Sequence, residues 1–198
     1  MKTNNVANFI IRRYSRQGLW SLFLIGAFPL HFWTLILVFR DISWLTERTN
    51  AWDAIGVASY GMIFAFTESV VIFLVVVLLG FFTPKQWETD RRITFLALLI
   101  LITSVWGMIG QLLFLWNIFL PAQAIHFLRS SSHPLRIIYA VCLMVVTPTV
   151  LLPVYAFIRS NQAVMFMQNL MERLALLATF YLFFDLLGLI IVILRNIG

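Results

Sequence analysis

Apolar positions run almost unbroken through five stretches of the chain, at 19–39, 54–82, 93–120, 135–158 and 174–194. A helix rising about 1.5 Å per residue needs about 20 such residues to cross about 30 Å of hydrocarbon, so each stretch is long enough to span a bilayer. The pattern predicts an all-α fold: a polytopic transmembrane helical bundle of five membrane-spanning helices, forming a single domain over 1–198. The connections between the stretches are about 10 to 16 residues, too short for an extramembrane unit with its own core. Any site therefore lies among the helices or at their mouths. No internal repeat is visible, and five spans do not divide into the two equal halves of a repeat-built carrier.

Polar punctuation supports this segmentation. Asn50 and Asp53 supply an N-cap residue and a first-turn carboxylate for the second span. Thr83-Pro84-Lys85-Gln86 reads as a capping box with proline at the first helical position, and predicts a short helical piece leading into the third span. Pro121 closes that span, and His133-Pro134 opens the next, since the residue before proline is pushed out of the α region. Pro148 and Pro153, with Thr147 and Thr149 beside the first, interrupt the fourth span's hydrogen-bond ladder and predict a bend. Tyr14, Trp20, Trp44, Trp52 and Trp87 fall near span ends, as aromatic belt residues do.

Composition excludes a water-soluble fold: 62% of residues are hydrophobic, 11% are charged, and mean hydropathy is +0.94. The net charge of +6 and pI near 10.1 do not point to nucleic acid, because the basic residues flank the spans and form no surface interleaved with aromatics. Lys2, Arg12, Arg13, Arg16, Lys85, Arg91, Arg92, Arg159 and Arg173 lie on one side, and Arg40, Arg48, Arg129, Arg136 and Arg195 on the other. Nine against five predicts a cytoplasmic N-terminus and, after five spans, a C-terminus outside. Residues 1–17 read as a basic interfacial segment, and the first apolar run as a retained helix, since no small-x-small cleavage site follows it. The single cysteine, Cys142, precludes an intramolecular disulfide or a cysteine metal cluster.

Three ionisable residues, His31, Glu68 and Asp185, fall near span centres, where an ionised side chain costs about 2.5 to 3.5 kcal/mol on insertion scales. Glu68 continues a line of small residues, Ala54, Ala58, Gly61 and Ala65, that predicts a protein-packed face with the carboxylate turned inward. Ala175, Ala178, Asp185 and Gly188 share one side of the fifth span, and Ala27, His31 and Thr34 one side of the first. The third contributes Ser104, Gly107 and Gln111, with Thr103, Gly110 and Asn117 on an adjacent line. These positions predict a polar seam in which His31, Glu68, Asp185 and Gln111 form a candidate intramembrane proton or cation site. No lysine or arginine occupies the span centres, so the two carboxylates are expected to be protonated or to hold an imported cation. The plainer alternative is interhelical hydrogen bonding, which averages about 0.6 kcal/mol in measured cases.

A weaker candidate, His126, Arg129 and His133 in the outer connection, could contact a lipid headgroup. Two histidines seven apart without neighbouring Cys, Asp or Glu make a poor metal site. No nucleophile elbow or acidic cluster accompanies them, so no catalytic residue, metal or cofactor is expected. Three readings follow: a non-catalytic accessory, scaffold or assembly subunit of a membrane complex; a small proton- or cation-coupled carrier; and an enzyme acting on a lipid-linked substrate. The first is favoured. The expected partners are membrane lipids and other membrane proteins or further copies of the chain, with no nucleic acid or soluble cofactor, in the cytoplasmic membrane.

Overall fold

A computed structural model describes residues 13–48, 50–118 and 120–197. These form six α-helices: α1 (Arg16–Arg48), α2 (Ala51–Leu79), α3 (Thr89–Leu115), α4 (Ala122–Ser130), α5 (Pro134–Arg159) and α6 (Asn161–Ile197). A short 3-10 turn, Gly80–Phe82, extends α2. There is no strand among the described residues. All the helices but α4 are long and apolar enough to cross a membrane, so the protein is a five-span membrane protein. Residues 1–12, most of the basic N-terminal segment, lie outside the described residues, as do the side chains of 42–46 and 48, Trp44 among them.

Local chemistry sets the helix ends. Asn50 Oδ1 accepts from the Asp53 amide at 2.9 Å and caps α2. His133 occupies the N-cap position of α5, with Pro134 starting the helix. At the end of α3, Asn117 takes a left-handed conformation (φ 51). Its amide donates to Phe114 O at 3.1 Å, and that of Ile118 donates to Leu113 O at 3.0 Å. This pairing consumes carbonyls that a helix end leaves orphaned. Asn117 is therefore a helix stop and no part of a polar seam, and α3 ends before the expected boundary.

Two further expectations are corrected, and a helix that was not anticipated appears. The Thr83–Gln86 stretch starts no helix: the Thr83 hydroxyl donates to Gly80 O at 2.7 Å and accepts from Arg92 Nε at 2.9 Å, so it is unavailable as an N-cap. Residues 159–173 form no loop; Ser160 alone separates α5 from α6. The first turns of α6 are amphipathic, with Met167 and Met171 buried in the core and Gln168, Asn169 and Glu172 lining a polar pocket at its edge. The outer connection contains α4, whose half-buried Ala124, Ile125 and Leu128 lie opposite the exposed Gln123, His126 and Ser130, a pattern suited to the membrane interface.

α1 is the hub, packing on α2, α6 and α3, while α2 also meets α6 and α3 also meets α5. Close packing is concentrated at one end of the bundle, called here the Tyr14 end. There Tyr14, Leu22, Ile25, Val76, Val77, Leu96, Val154 and Met167 join all five spans in one core. The Tyr14 hydroxyl donates to Val77 O at 2.6 Å. Arg92, buried, donates to the carbonyls of Arg13 (2.7 Å), Trp87 (3.1 Å) and Pro84 (3.2 Å). Arg13 reaches Thr83 O at 2.8 Å and Phe81 O at 3.0 Å. The Arg13 guanidinium thus satisfies carbonyls at the C-terminal end of α2, where the helix dipole favours a cation, while Arg92 ties the turn that follows to the Arg13 backbone. A Cβ on Gly80 would stand 1.9 Å from the Tyr14 hydroxyl, so only glycine admits this docking. Toward the opposite end burial lapses in α3 beyond Ile100 and in α5 before Val150, while α2 and α6 stay packed through Ser59 and Gly188.

Candidate functional site

His31 on α1 and Asp185 on α6 meet inside the bundle, with relative exposures of 0% and 7%. His31 Nε2 lies 3.0 Å from Oδ1 and 2.9 Å from Oδ2 of Asp185, and its Nδ1 lies 2.8 Å from Ala27 O, one turn back on α1. A carbonyl oxygen only accepts, so Nδ1 carries a hydrogen. A second proton must lie between Nε2 and the carboxyl, since two lone pairs at that distance repel. Whether that proton sits on nitrogen or oxygen, the pair is neutral overall. Tyr181, one turn before Asp185, stacks on the imidazole with ring centroids 5.7 Å apart and an interplanar angle of 6°. Sequence reasoning missed Tyr181, although its i, i+4 spacing to Asp185 places both on one face of α6. One turn on from Asp185, α6 also approaches α2 closely: a Cβ on Gly188 would stand 3.3 Å from Ser59 O.

Glu68 is elsewhere. Nine positions separate it from Ser59, about two and a half helical turns, so it points away from the face that packs on α6. It is exposed, against the inward orientation read from the small-residue line. The reason is angular: the buried line runs through Met62, Ala65, Ser69 and Val76, and Glu68 falls to one side of it. No hydrogen bond or ion pair reaches Glu68 among the described residues. Its exposed neighbours Phe64, Val71 and Val75 are apolar.

Glu68 is at mid-depth in the bundle. Gly26 faces Ile72 and Gly61 faces Thr34, which puts the carboxylate level with the stretch of α1 between Gly26 and Thr34. On the same side of α2, Ile72, Val75 and Leu79 line a groove of about 470 Å³, with Pro29, Leu30 and Trp33 of α1 as its floor. Its far wall is the polar line of α3, Thr103, Ser104, Gly107 and Gln111. Gln111 Oε1 accepts from the Trp33 indole at the rim of the groove and does not approach His31. The four candidate residues thus separate into a sealed pair, an amide bridge and a lone carboxylate.

His126 and Arg129 are exposed on α4, and His133 is exposed at the start of α5. At the end of the bundle away from Tyr14, Arg195 bonds Asp53 Oδ1 at 2.7 Å and the Trp52 carbonyl, and its guanidinium lies 5.7 Å from the Trp52 ring centroid. No cluster of three or more His, Cys, Asp or Glu capable of holding a metal occurs among the described residues. Comparison of the chain with protein-family models, with curated proteins and with solved structures gives no match in any of the three.

Proposed function

We propose that the protein is a non-catalytic subunit of a membrane assembly, acting by holding another membrane component against its exposed helices. The observation that carries this reading is Glu68, a carboxylate at mid-depth on an exposed apolar face with no partner of its own among the described residues. A charge in that position is costly in lipid, by about 2.5 to 3.5 kcal/mol on insertion scales, and a docked partner would offset the cost. The carrier reading needs His31, Asp185 and Glu68 to share a path, whereas Glu68 faces away from α6 and Tyr181 stacks over the imidazole. The charge bias favours placing the Tyr14 end in the cytoplasm.

Purification from native membranes in a mild detergent tests the assembly. A membrane protein in constant ratio to the chain is expected. A lone monomer, together with proton flux in proteoliposomes that disappears in Asp185→Asn, would replace this reading with the carrier. Sidedness is checked in a Cys142→Ser background with a single cysteine in place of Lys85. An impermeant maleimide is expected to label it in inside-out vesicles and not in intact cells.

A further inference from the structure

Resting on that reading, we infer that the groove between α2 and α3 receives one transmembrane helix of a different protein, bearing a lysine or arginine at mid-membrane depth that pairs with Glu68. Glu68 supplies an unpartnered carboxylate one turn from Ile72 on the same side of α2, beside the groove and not among the residues that line it. Ser104 and Gly107 on the facing wall are small enough to let a visiting backbone approach closely. A second copy of this chain does not fit the charge requirement. Its described lysines and arginines lie toward the span ends, and its mid-depth histidine is already bonded to Asp185. An acyl chain would fill the apolar volume but brings no cation to the midplane. A lone lysine or arginine in a membrane helix is itself costly, so pairing with Glu68 relieves both partners.

The test uses the full-length chain in nanodiscs of zwitterionic lipid, with a fluorophore on its single cysteine, Cys142, which is exposed on α5. Synthetic apolar helices of about 20 residues, long enough to span, carry Lys, Leu or Glu at the centre and an acceptor dye. The Lys helix is expected to bind at least about tenfold more tightly than the Leu helix. Glu68→Gln should erase the difference, and Glu68→Lys should transfer the preference to the Glu helix. Gly107→Leu should block binding by filling the groove. A Cβ there meets nothing within 4 Å, so the fold has room for the change. Gly110→Leu, equally unobstructed but not among the groove-lining residues, should leave binding intact.

Equal binding of the Lys and Leu helices, indifference to Glu68→Gln, or no effect of Gly107→Leu overturns the inference. So does energy transfer between two labelled copies that depends on Glu68, which would make the occupant a second copy. If the groove fails these tests while a native partner still co-purifies, the assembly reading stands without it. If the Lys helix docks through Glu68 but no protein accompanies the chain from membranes, only the assembly reading falls.

Discussion

Replacing His31 with leucine strands the Asp185 carboxyl among apolar atoms, and replacing Asp185 strands the imidazole; replacing both strands nothing. The double variant His31→Leu/Asp185→Leu is therefore expected to be more stable than either single one. A double-mutant cycle of unfolding in mixed micelles should give a coupling of about 1 to 2 kcal/mol, at the upper end of membrane hydrogen bonds, because both carboxyl oxygens reach the ring nitrogen. Gly80→Ala forces its new methyl against the Tyr14 hydroxyl and should cost about 1 to 3 kcal/mol. Tyr14→Phe in the same chain should recover part of that loss by removing the oxygen. Tyr14 also sets an alkaline limit. Burial pushes its hydroxyl above the ordinary tyrosine value of 10.0, although the nearby Arg13 and Arg92 cations pull the other way. The folded state then holds this proton more tightly than the unfolded one, so its contribution is intact below pH 10.0 and is lost as pH rises through the raised value. Melting temperature measured from neutral pH upward should fall more steeply above that point in the native chain than in Tyr14→Phe.

The turn between α2 and α3 is held by Arg92, whose planar fork reaches three carbonyls and the Thr83 hydroxyl. Lysine offers a point charge on a flexible stem and cannot reproduce that geometry, so Arg92→Lys should open this turn to limited proteolysis at residues 84–88 while the spans stay protected. Nothing in the sequence separated Arg92 from its neighbour Arg91; both read as topology signals, and only the docking of Tyr14 against Val77 shows which is buried. The five spans were legible because runs of apolar residues need no tertiary knowledge to interpret. The start of α6 was not, because its polar face dilutes the hydropathy that marks the rest of the helix. The orientation of Glu68 was misread for an angular reason: a line of small residues marks where helices approach, but a neighbour 60° around the helix can already lie outside the contact. Asp185 was easier, because Ala178 and Gly188 bracket it on one narrow face, and both are buried.

At the scale of the whole molecule, the bundle is tightly joined at the Tyr14 end and looser at the other, where the Arg195–Asp53 bridge ties α2 to α6. That bridge is partly exposed and should be worth no more than about 1 kcal/mol, so Asp53→Asn is expected to leave overall stability nearly unchanged. The His31–Asp185 pair has a different global consequence. A membrane potential acts on net charge, by about 2.3 kcal/mol per elementary charge per 100 mV. A histidine and a carboxyl that share their protons between them offer the voltage nothing to pull on. The seam between α1 and α6 should therefore be electrically silent, and energising a vesicle should neither tighten nor loosen it. Glu68, when ionised and alone, would be the one mid-depth group through which voltage could act on the described helices.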